Sequence, residues 1–222
     1  MANQKEVFLD TEGDQWFERN KDHQTSHDLS NICLLLKSIH YQPRKVLEIG
    51  CADGKNLNDI QQKFEADCYG IEPSMEAINQ GKKIFPQLTL QQGTADSLPF
   101  ENARFDTIIF GFCLYLCDRE DLFAIAHQAD RCLQDKGIII IKDFCPPIAY
   151  RNKYSHKEGL YSYKMDYSQL FTWHPAFQLI NKVVYTHNGF RGTEQHDEKV
   201  ATLIIQKNLT SAFPDNPYAN KS

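Results

Sequence analysis

Apolar positions along this chain alternate between two periods. In "KVLEIGCADGKNL", residues 45–57, Val46, Leu47 and Ile49 form a short apolar run, and Gly50 and Gly54 punctuate a loop. Leu57, Ile60 and Phe64 then recur at i, i+3 and i+7. The pattern predicts a buried strand, a tight loop and a helix with one apolar face. The same alternation follows downstream. "ADCYGIE" reads as a strand, "PSMEAINQGKKIF" as a helix through Ala77, Ile78, Gly81 and Ile84, and "LTLQQ" as a short strand. "RFDTIIFGF" is a strand burying Ile108, Ile109 and Phe110. "DREDLFAIAHQADRCL" is a helix with Asp118 as N-cap and Leu122, Ile125, Ala129 and Cys132 on one face. "KGIIIIKDF" has the continuous β-branched run of a parallel strand buried on both sides. "FQLINKVVYTH" and "KVATLIIQK" close the chain as a strand pair. This order predicts one doubly wound α/β domain of about seven strands, mostly parallel with a final antiparallel strand.

The expected organisation is an N-terminal helical lid over residues 1–40, the α/β domain over 41–207, and a loose tail over 208–222 with Pro214 and Pro217. A chain of 222 residues can bury a sizeable core, and 41% hydrophobic with 24% charged residues is ordinary for a globular protein. The net charge of −5 argues against a general nucleic-acid binder. "MANQKEVFLD" carries no signal-peptide apolar region, and no run approaches the ~18 residues of a membrane helix, so a cytoplasmic protein away from membranes is expected. Seven cysteines without a C-x-x-C pair suit reduced core thiols, and the sequon at Asn208 then has no glycosylation role.

A strand, a glycine loop and a helix N-terminus together make a nucleotide-cofactor site. The G-x-G-x-x-G needed for a dinucleotide is absent, because Ala52 and Asp53 lie between Gly50 and Gly54. Acidic residues occupy three successive strand ends instead. Glu48 would repel a phosphate but welcome an ammonium or sulfonium. Glu72 would grip ribose hydroxyls, and Asp96 in "GTADSLPF" would accept from an adenine amino group. An adenosine with a cationic amino-acid arm fits all three, which describes S-adenosylmethionine. Two of these acids also have a purely structural reading. Glu72 would suit the helix start at Pro73-Ser74, and Asp96 the turn before Leu98-Pro99.

These segments resemble the class I S-adenosylmethionine-dependent methyltransferases, a Rossmann-like family. The resemblance covers roughly residues 40–145 through "VLEIGCADG", "YGIEPS", "GTADSLPFENARFDTIIFGFCLYL" and "LQDKGIIIIKDF". Ala52 replaces the middle glycine of the family's E-x-G-x-G-x-G, which Ala serves if its φ is negative. The resemblance implies that Glu48, Gly50, Cys51 and Gly54 line the methionine arm and that Glu72 and Pro73 hold the ribose. Asp96 and Ser97 would contact adenine, and Phe112 would lie under the ligand. "EGDQWFERN" and "YSYKMDYSQLF" are similar to a bacterial subgroup linked to surface-polysaccharide and unusual-sugar pathways. Arg19 is expected to meet the cofactor carboxylate, with Trp16 excluding water.

Residues 143–175 form a long insertion between the fifth and sixth strands. Five of the ten tyrosines lie between Tyr150 and Tyr167. Over 150–164 Arg151, Lys153, Lys157 and Lys164 face Glu158 alone, a local excess of cations in an acidic protein. That chemistry suits an anionic small acceptor, such as a sugar or nucleotide-linked sugar, weighed against a solvated loop with snorkelling lysines. An alcohol acceptor needs a general base, for which His156 is the first candidate and Asp143 the second; an amine needs only to arrive neutral. Tyr154, two residues from His156, would share its face in an extended segment and grip the same substrate.

The function expected is methyl transfer to oxygen or nitrogen of a small molecule by a monomer or homodimer. A non-catalytic cofactor-binding subunit and an RNA methyltransferase are the alternatives. His23 and His27 lie at i and i+4 but without the Glu of H-E-x-x-H or a third ligand, so no metal is expected. Cys113 and Cys117 read as core thiols, and Trp173 and His174 as packed loop aromatics.

Overall fold

The computed structural model describes residues 3–22, 31–186, 196–216 and 218. The sheet begins with β1 (Lys45–Ile49), β2 (Asp67–Glu72), β3 (Thr89–Gln92), β4 (Phe105–Gly111) and β5 (Leu133–Phe144). It ends with β8 (Phe177–Thr186) and β9 (Lys199–Lys207), and the strand order is β3-β2-β1-β4-β5-β9-β8. Pairings among the first five strands are parallel; β9 runs antiparallel between β5 and β8. The final strand is therefore the antiparallel one, as its pattern predicts, but it is an interior strand and β8 is the edge.

Side-chain alternation along the strands builds two cores. On one face Leu47, Ile49, Ile108, Phe110, Ile139 and Ile141 pack with Ile125, Ala129 and Cys132 of helix α6 (Leu122–Cys132). On the other, Val46, Ile109, Ile138 and Ile140 meet α3 (Ile32–Ser38) and α4 (Lys55–Phe64), whose Leu57, Ile60 and Phe64 form the expected face. Helix α5 (Met75–Ile84) starts on Ser74, whose Oγ accepts from the Ala77 amide at 3.0 Å. The chain winds outward from β1 to β3, then crosses back to β4. That reversal opens a crevice beyond the ends of β1 and β4, where open α/β sheets bind ligands.

Two elements lie outside this frame. The N-terminal helix runs as α1 (Gln4–Val7), a π-helical segment at Phe8–Glu12 and α2 (Gly13–Asn20). Gly13 sits where this helix crosses α5: an added Cβ would come within 2.6 Å of the Phe8 carbonyl and 3.2 Å of the Ser74 amide nitrogen. The 143–175 insertion folds into a hairpin, β6 (Tyr150–Lys153) with β7 (Tyr161–Lys164), followed by α7 (Gln169–Thr172).

Three local expectations are corrected. Asp118 does not cap α6, which a short 3₁₀ turn at Arg119–Asp121 precedes. Its carboxylate instead accepts from the amides of Gln4 (3.2 Å) and Lys5 (2.9 Å), at the start of another helix. The tail is docked at its beginning, because the Asn208 amide donates to the Ala176 carbonyl at 2.7 Å and Ala212 is buried. Trp173 is 69% exposed rather than packed, although His174 does contact it and Phe177. His23 and His27 lie outside the described residues. All seven cysteines are free thiols, five of them buried. No helix among the described residues is long and apolar enough to cross a membrane.

Candidate active site

The crevice holds a cavity lined by Ile49 and Gly50 after β1, Glu72 and Pro73 after β2, Ala95 and Asp96 after β3, and Gly111 to Cys113 after β4. Lys5, Phe8, Gly13 and Trp16 of the N-terminal helix close its outer side. Of the residues expected around a cofactor, Trp16, Gly50, Glu72, Pro73, Asp96 and Phe112 line this space. Glu48 lies one layer behind, its carboxyl over Gly111, where an added Cβ would come within 2.8 Å of Oε1.

Glu48 accepts from Asn56 Nδ2 at 2.8 Å through Oε1, while Oε2 is buried without a hydrogen-bond partner. Burial raises its pKa to about 8, with the Asn56 hydrogen bond pulling the other way. Leaving such an oxygen unpaired costs about 1–3 kcal/mol, so the position favours a bound donor or cation. Glu72 has both oxygens engaged: Oε2 accepts from the Ala52 amide (2.9 Å) and Oε1 from the Ser74 amide (3.1 Å). It ties the glycine loop to the start of α5, so the structural reading of this residue holds alongside its place in the cavity. Burial raises it to about 7 despite those two bonds.

The loop itself is corrected at one position. Ala52 has φ +46°, not the negative value that would suit alanine without strain. Gly50, at φ +74°, turns towards β4: an added Cβ would come within 2.6 Å of Cys113 Cβ. Cys51 and Gly54 do not line the cavity; Cys51 packs against Gly70, and Gly54 turns the chain into α4 over Leu88 and Leu90. Phe112 also carries a positive φ, +60°, which aims its ring edge-on at Tyr115 (5.4 Å) and Phe144 (5.0 Å).

Asp96 is not bare. Lys5 Nζ reaches its Oδ2 at 2.6 Å and Asp121 Oδ2 at 2.9 Å. Burial raises the Asp96 pKa, but the Lys5 ammonium and Thr94 bring the net shift below the usual carboxylate value. Ser97 closes a turn with Thr94 and does not line the cavity. Arg19 is the larger departure. Its guanidinium pairs with the fully buried Glu12 and donates to Tyr154 Oη at 3.2 Å, and it does not line the cavity. Local charge at "WFER" cannot show that preference, because Glu12, the last residue of the π segment, precedes Arg19 by seven residues and Tyr154 lies 135 residues away.

A second, wider cleft of about 600 Å³ is lined by Trp16, Asn20, Tyr115, Phe144, Lys153 to His156, Ser162 and Lys164. Trp16 belongs to both spaces, and Phe112 of the first touches Tyr115 and Phe144 of the second. The hairpin thus brings Tyr154 and His156 beside the cavity, their rings edge-on at 5.4 Å. They meet across a turn, since β6 ends at Lys153. His156 is exposed at the cleft. Asp143 lines neither space: it is buried, accepting from the Phe144 amide (2.7 Å) and the Tyr115 amide (3.3 Å). Burial raises it to about 7, the amides opposing. The cation excess is smaller than its sequence suggests. Lys164 pairs with Asp197 at 2.8 Å, and Arg151 stacks on Tyr161 at 4.6 Å.

Lys5, Glu12, Asn56 and Arg119 carry no local sequence signal for these roles. Arg119 pins the hairpin, donating to Tyr167 Oη (3.0 Å) and the Leu114 carbonyl (2.6 Å) with its guanidinium 4.4 Å from the Tyr163 ring.

A family model described as "Methyltransferase domain" matches residues 46–137, spanning β1 to the start of β5. Over those residues the chain is similar to a methyltransferase domain, in line with the resemblance of its sequence to the class I S-adenosylmethionine-dependent methyltransferases. Among curated relatives, an uncharacterised methyltransferase of Synechocystis is 28% identical over 67% of this chain and 66% of its own length. The dTDP-3-amino-3,4,6-trideoxy-α-D-glucopyranose N,N-dimethyltransferase of Streptomyces venezuelae is 26% identical over 58% of this chain and 54% of its own. The chain thus spans just under two thirds and about half of those relatives. The fold is that of Burkholderia thailandensis 1,6-didemethyltoxoflavin-N1-methyltransferase, solved with its acceptor and S-adenosylhomocysteine: TM-score 0.70, 12% identity, 94% of this chain and 91% of that one. The methyltransferase cofactor fits the residues present. A cationic amino-acid arm would suit the unpaired Glu48 Oε2, and Glu72 at the end of β2 lines the cavity.

Proposed function

We propose that this methyltransferase acts on a small molecule in the hairpin cleft, methylating nitrogen or oxygen of a sugar or nucleotide-linked sugar. The observation that carries this reading is Trp16, which walls both the cofactor cavity and the cleft. A group bound against Trp16 and Tyr115 lies within reach of a methyl donor on the other side of the same wall. The cleft offers neutral donors and acceptors in Asn20, Asn152, Ser155 and Ser162, with aromatic faces in Tyr115 and Tyr154 for a sugar ring. Lys153, which makes no ion pair among the described residues, suits a phosphate on the acceptor.

Nitrogen is the better-supported target. The cofactor supplies a methyl on a sulfonium, already a good leaving group. An amine that takes this methyl would have to give up one proton from its nitrogen. His156, exposed at the cleft, accepts it. The buried Asp143 would have to break two amide hydrogen bonds to reach an alcohol. The similarity to an amino-sugar N,N-dimethyltransferase supports the same direction. The hairpin reaches the cavity wall where Tyr154 packs against Phe8 at 6.1 Å, which supports an acceptor pocket beside the cofactor over the non-catalytic alternative.

The test is methyl transfer from labelled cofactor to a panel of amino- and hydroxyl-bearing nucleotide sugars. Turnover of an amino sugar, falling about 100-fold in His156→Ala with unchanged cofactor affinity, is the expected result. Activity confined to RNA, or full activity after replacing residues 154–160 by a short glycine turn, would overturn it.

A further inference from the structure

Alternation along the hairpin places Tyr150 and Asn152 of β6 on one face with their register partners Lys164 and Ser162 of β7. Asn152, Ser162 and Lys164 line the acceptor cleft. Three donors from this face converge on one oxygen: Lys164 Nζ (2.8 Å), Asn152 Nδ2 (3.2 Å) and Tyr150 Oη all donate to Asp197 Oδ1. Lys164 is only 8% exposed, and its ammonium also lies 3.9 Å from the centre of the Phe144 ring, in the same cleft. The Asp197 side chain is 60% exposed, on the 3₁₀ turn His196–Glu198 outside the hairpin. Hydrogen bonds from Lys164, then Tyr150, hold its carboxyl below the usual carboxylate range.

A buried ammonium needs an anion beside it, and the two amphipathic strands fix where that anion sits. The anion itself comes from an exposed turn. A carboxylate has two oxygens, and this one gives a single oxygen to all three donors. A phosphate group carries more charge and three strong acceptor oxygens, enough to meet the same donors separately. We propose that Tyr150, Asn152 and Lys164 form an anion-binding subsite for a phosphate on the acceptor, with Asp197 as the internal carboxylate that the phosphate displaces. The displaced side chain turns into solvent, to which it is already largely open. This deepens the acceptor reading above and rests on it.

Thermal melts and titration with inorganic phosphate test it, with sodium chloride at matched ionic strength as the control. Asp197→Ala deprives the buried Lys164 of its carboxylate, so the variant should melt below wild type. Phosphate should restore most of that loss, and should bind the variant about tenfold tighter than wild type because the competing carboxylate is gone. Adding Lys164→Met to Asp197→Ala should abolish the restoration. Asp197→Asn keeps the size and removes the charge, and gives the same reading if alanine unfolds the hairpin. An ordinary structural ion pair predicts a melting temperature that phosphate restores no more than chloride does. That result overturns the subsite, as does phosphate binding undiminished by Lys164→Met. Methyl transfer to a sugar without phosphate rescue overturns this inference and leaves the acceptor reading in place. Rescue by phosphate in a protein that methylates no sugar supports the anion site and removes the acceptor reading.

Discussion

Tyr154 donates its hydroxyl hydrogen to Glu12 Oε1 at 2.9 Å, joining the hairpin to the N-terminal helix across 142 residues of sequence. The same helix is held at its other end, where the Gln4 side chain donates to the Leu116 carbonyl (2.8 Å) and accepts from the Tyr161 amide (2.6 Å). Helix and hairpin are therefore joined into one wall of the cleft, with Trp16 shared between the two spaces. Tyr154→Phe keeps the ring and removes one bond to a buried carboxylate, with an expected loss of about 1.5–3 kcal/mol. Hydrogen exchange should show faster amides in β6 and β7, with β1 and β4 unchanged. Uniform protection across the variant would show that the contact does not hold the wall.

Arg19→Ala would leave the fully buried Glu12 without its ion-pair partner. Breaking a buried pair from one side costs about 3–5 kcal/mol, discounted here because Arg19 is partly exposed. Glu12→Gln added to Arg19→Ala should recover much of the lost stability, because the uncompensated charge is gone. Thermal melts of the three variants check this; a double variant no more stable than Arg19→Ala would refute the charge argument.

Glu48 gives the apo-protein a pH dependence. Its carboxyl titrates at about 8 when folded against a usual 4.5. Between those values the folded state holds a proton that the unfolded chain has released, so stability is lost as pH rises through that window. Glu72 and Asp143, both raised to about 7, act in the same direction. Glu48→Gln should flatten the decline in melting temperature between pH 5 and pH 8.5, and should weaken S-adenosylhomocysteine binding. The slope survives in part through the other two acids. Identical slopes in wild type and variant would sink the assignment.

Two neighbouring loop positions should respond in opposite ways. Ala52→Gly relieves a left-handed alanine, worth about 1–2 kcal/mol, against a smaller gain in unfolded-chain entropy. The net expectation is a melting temperature equal to or slightly above wild type, with cofactor affinity kept. Gly50→Ala should unfold the loop and abolish binding, because its Cβ meets Cys113 while φ is +74°. The cause is a clash with the protein's own β4 connection rather than with ligand. A well-folded, cofactor-binding Gly50→Ala protein is the result that would contradict this.

The sequence by itself determined the sheet. Strand and helix periodicity are local, and the run at Ile138–Ile141 or the face of Leu57, Ile60 and Phe64 is legible because burial follows backbone repeat. It also determined the acidic strand ends, since Glu48, Glu72 and Asp96 occupy tips that topology alone brings to one crevice. What it could not determine is which charges find each other. Arg19 faces Glu12 and Tyr154, Asp96 meets Lys5, and Asp118 caps a helix more than 110 residues away in sequence. Coulombic and hydrogen-bond partners are chosen by distance in space, and a chain pattern carries no record of distances between elements that meet only on folding.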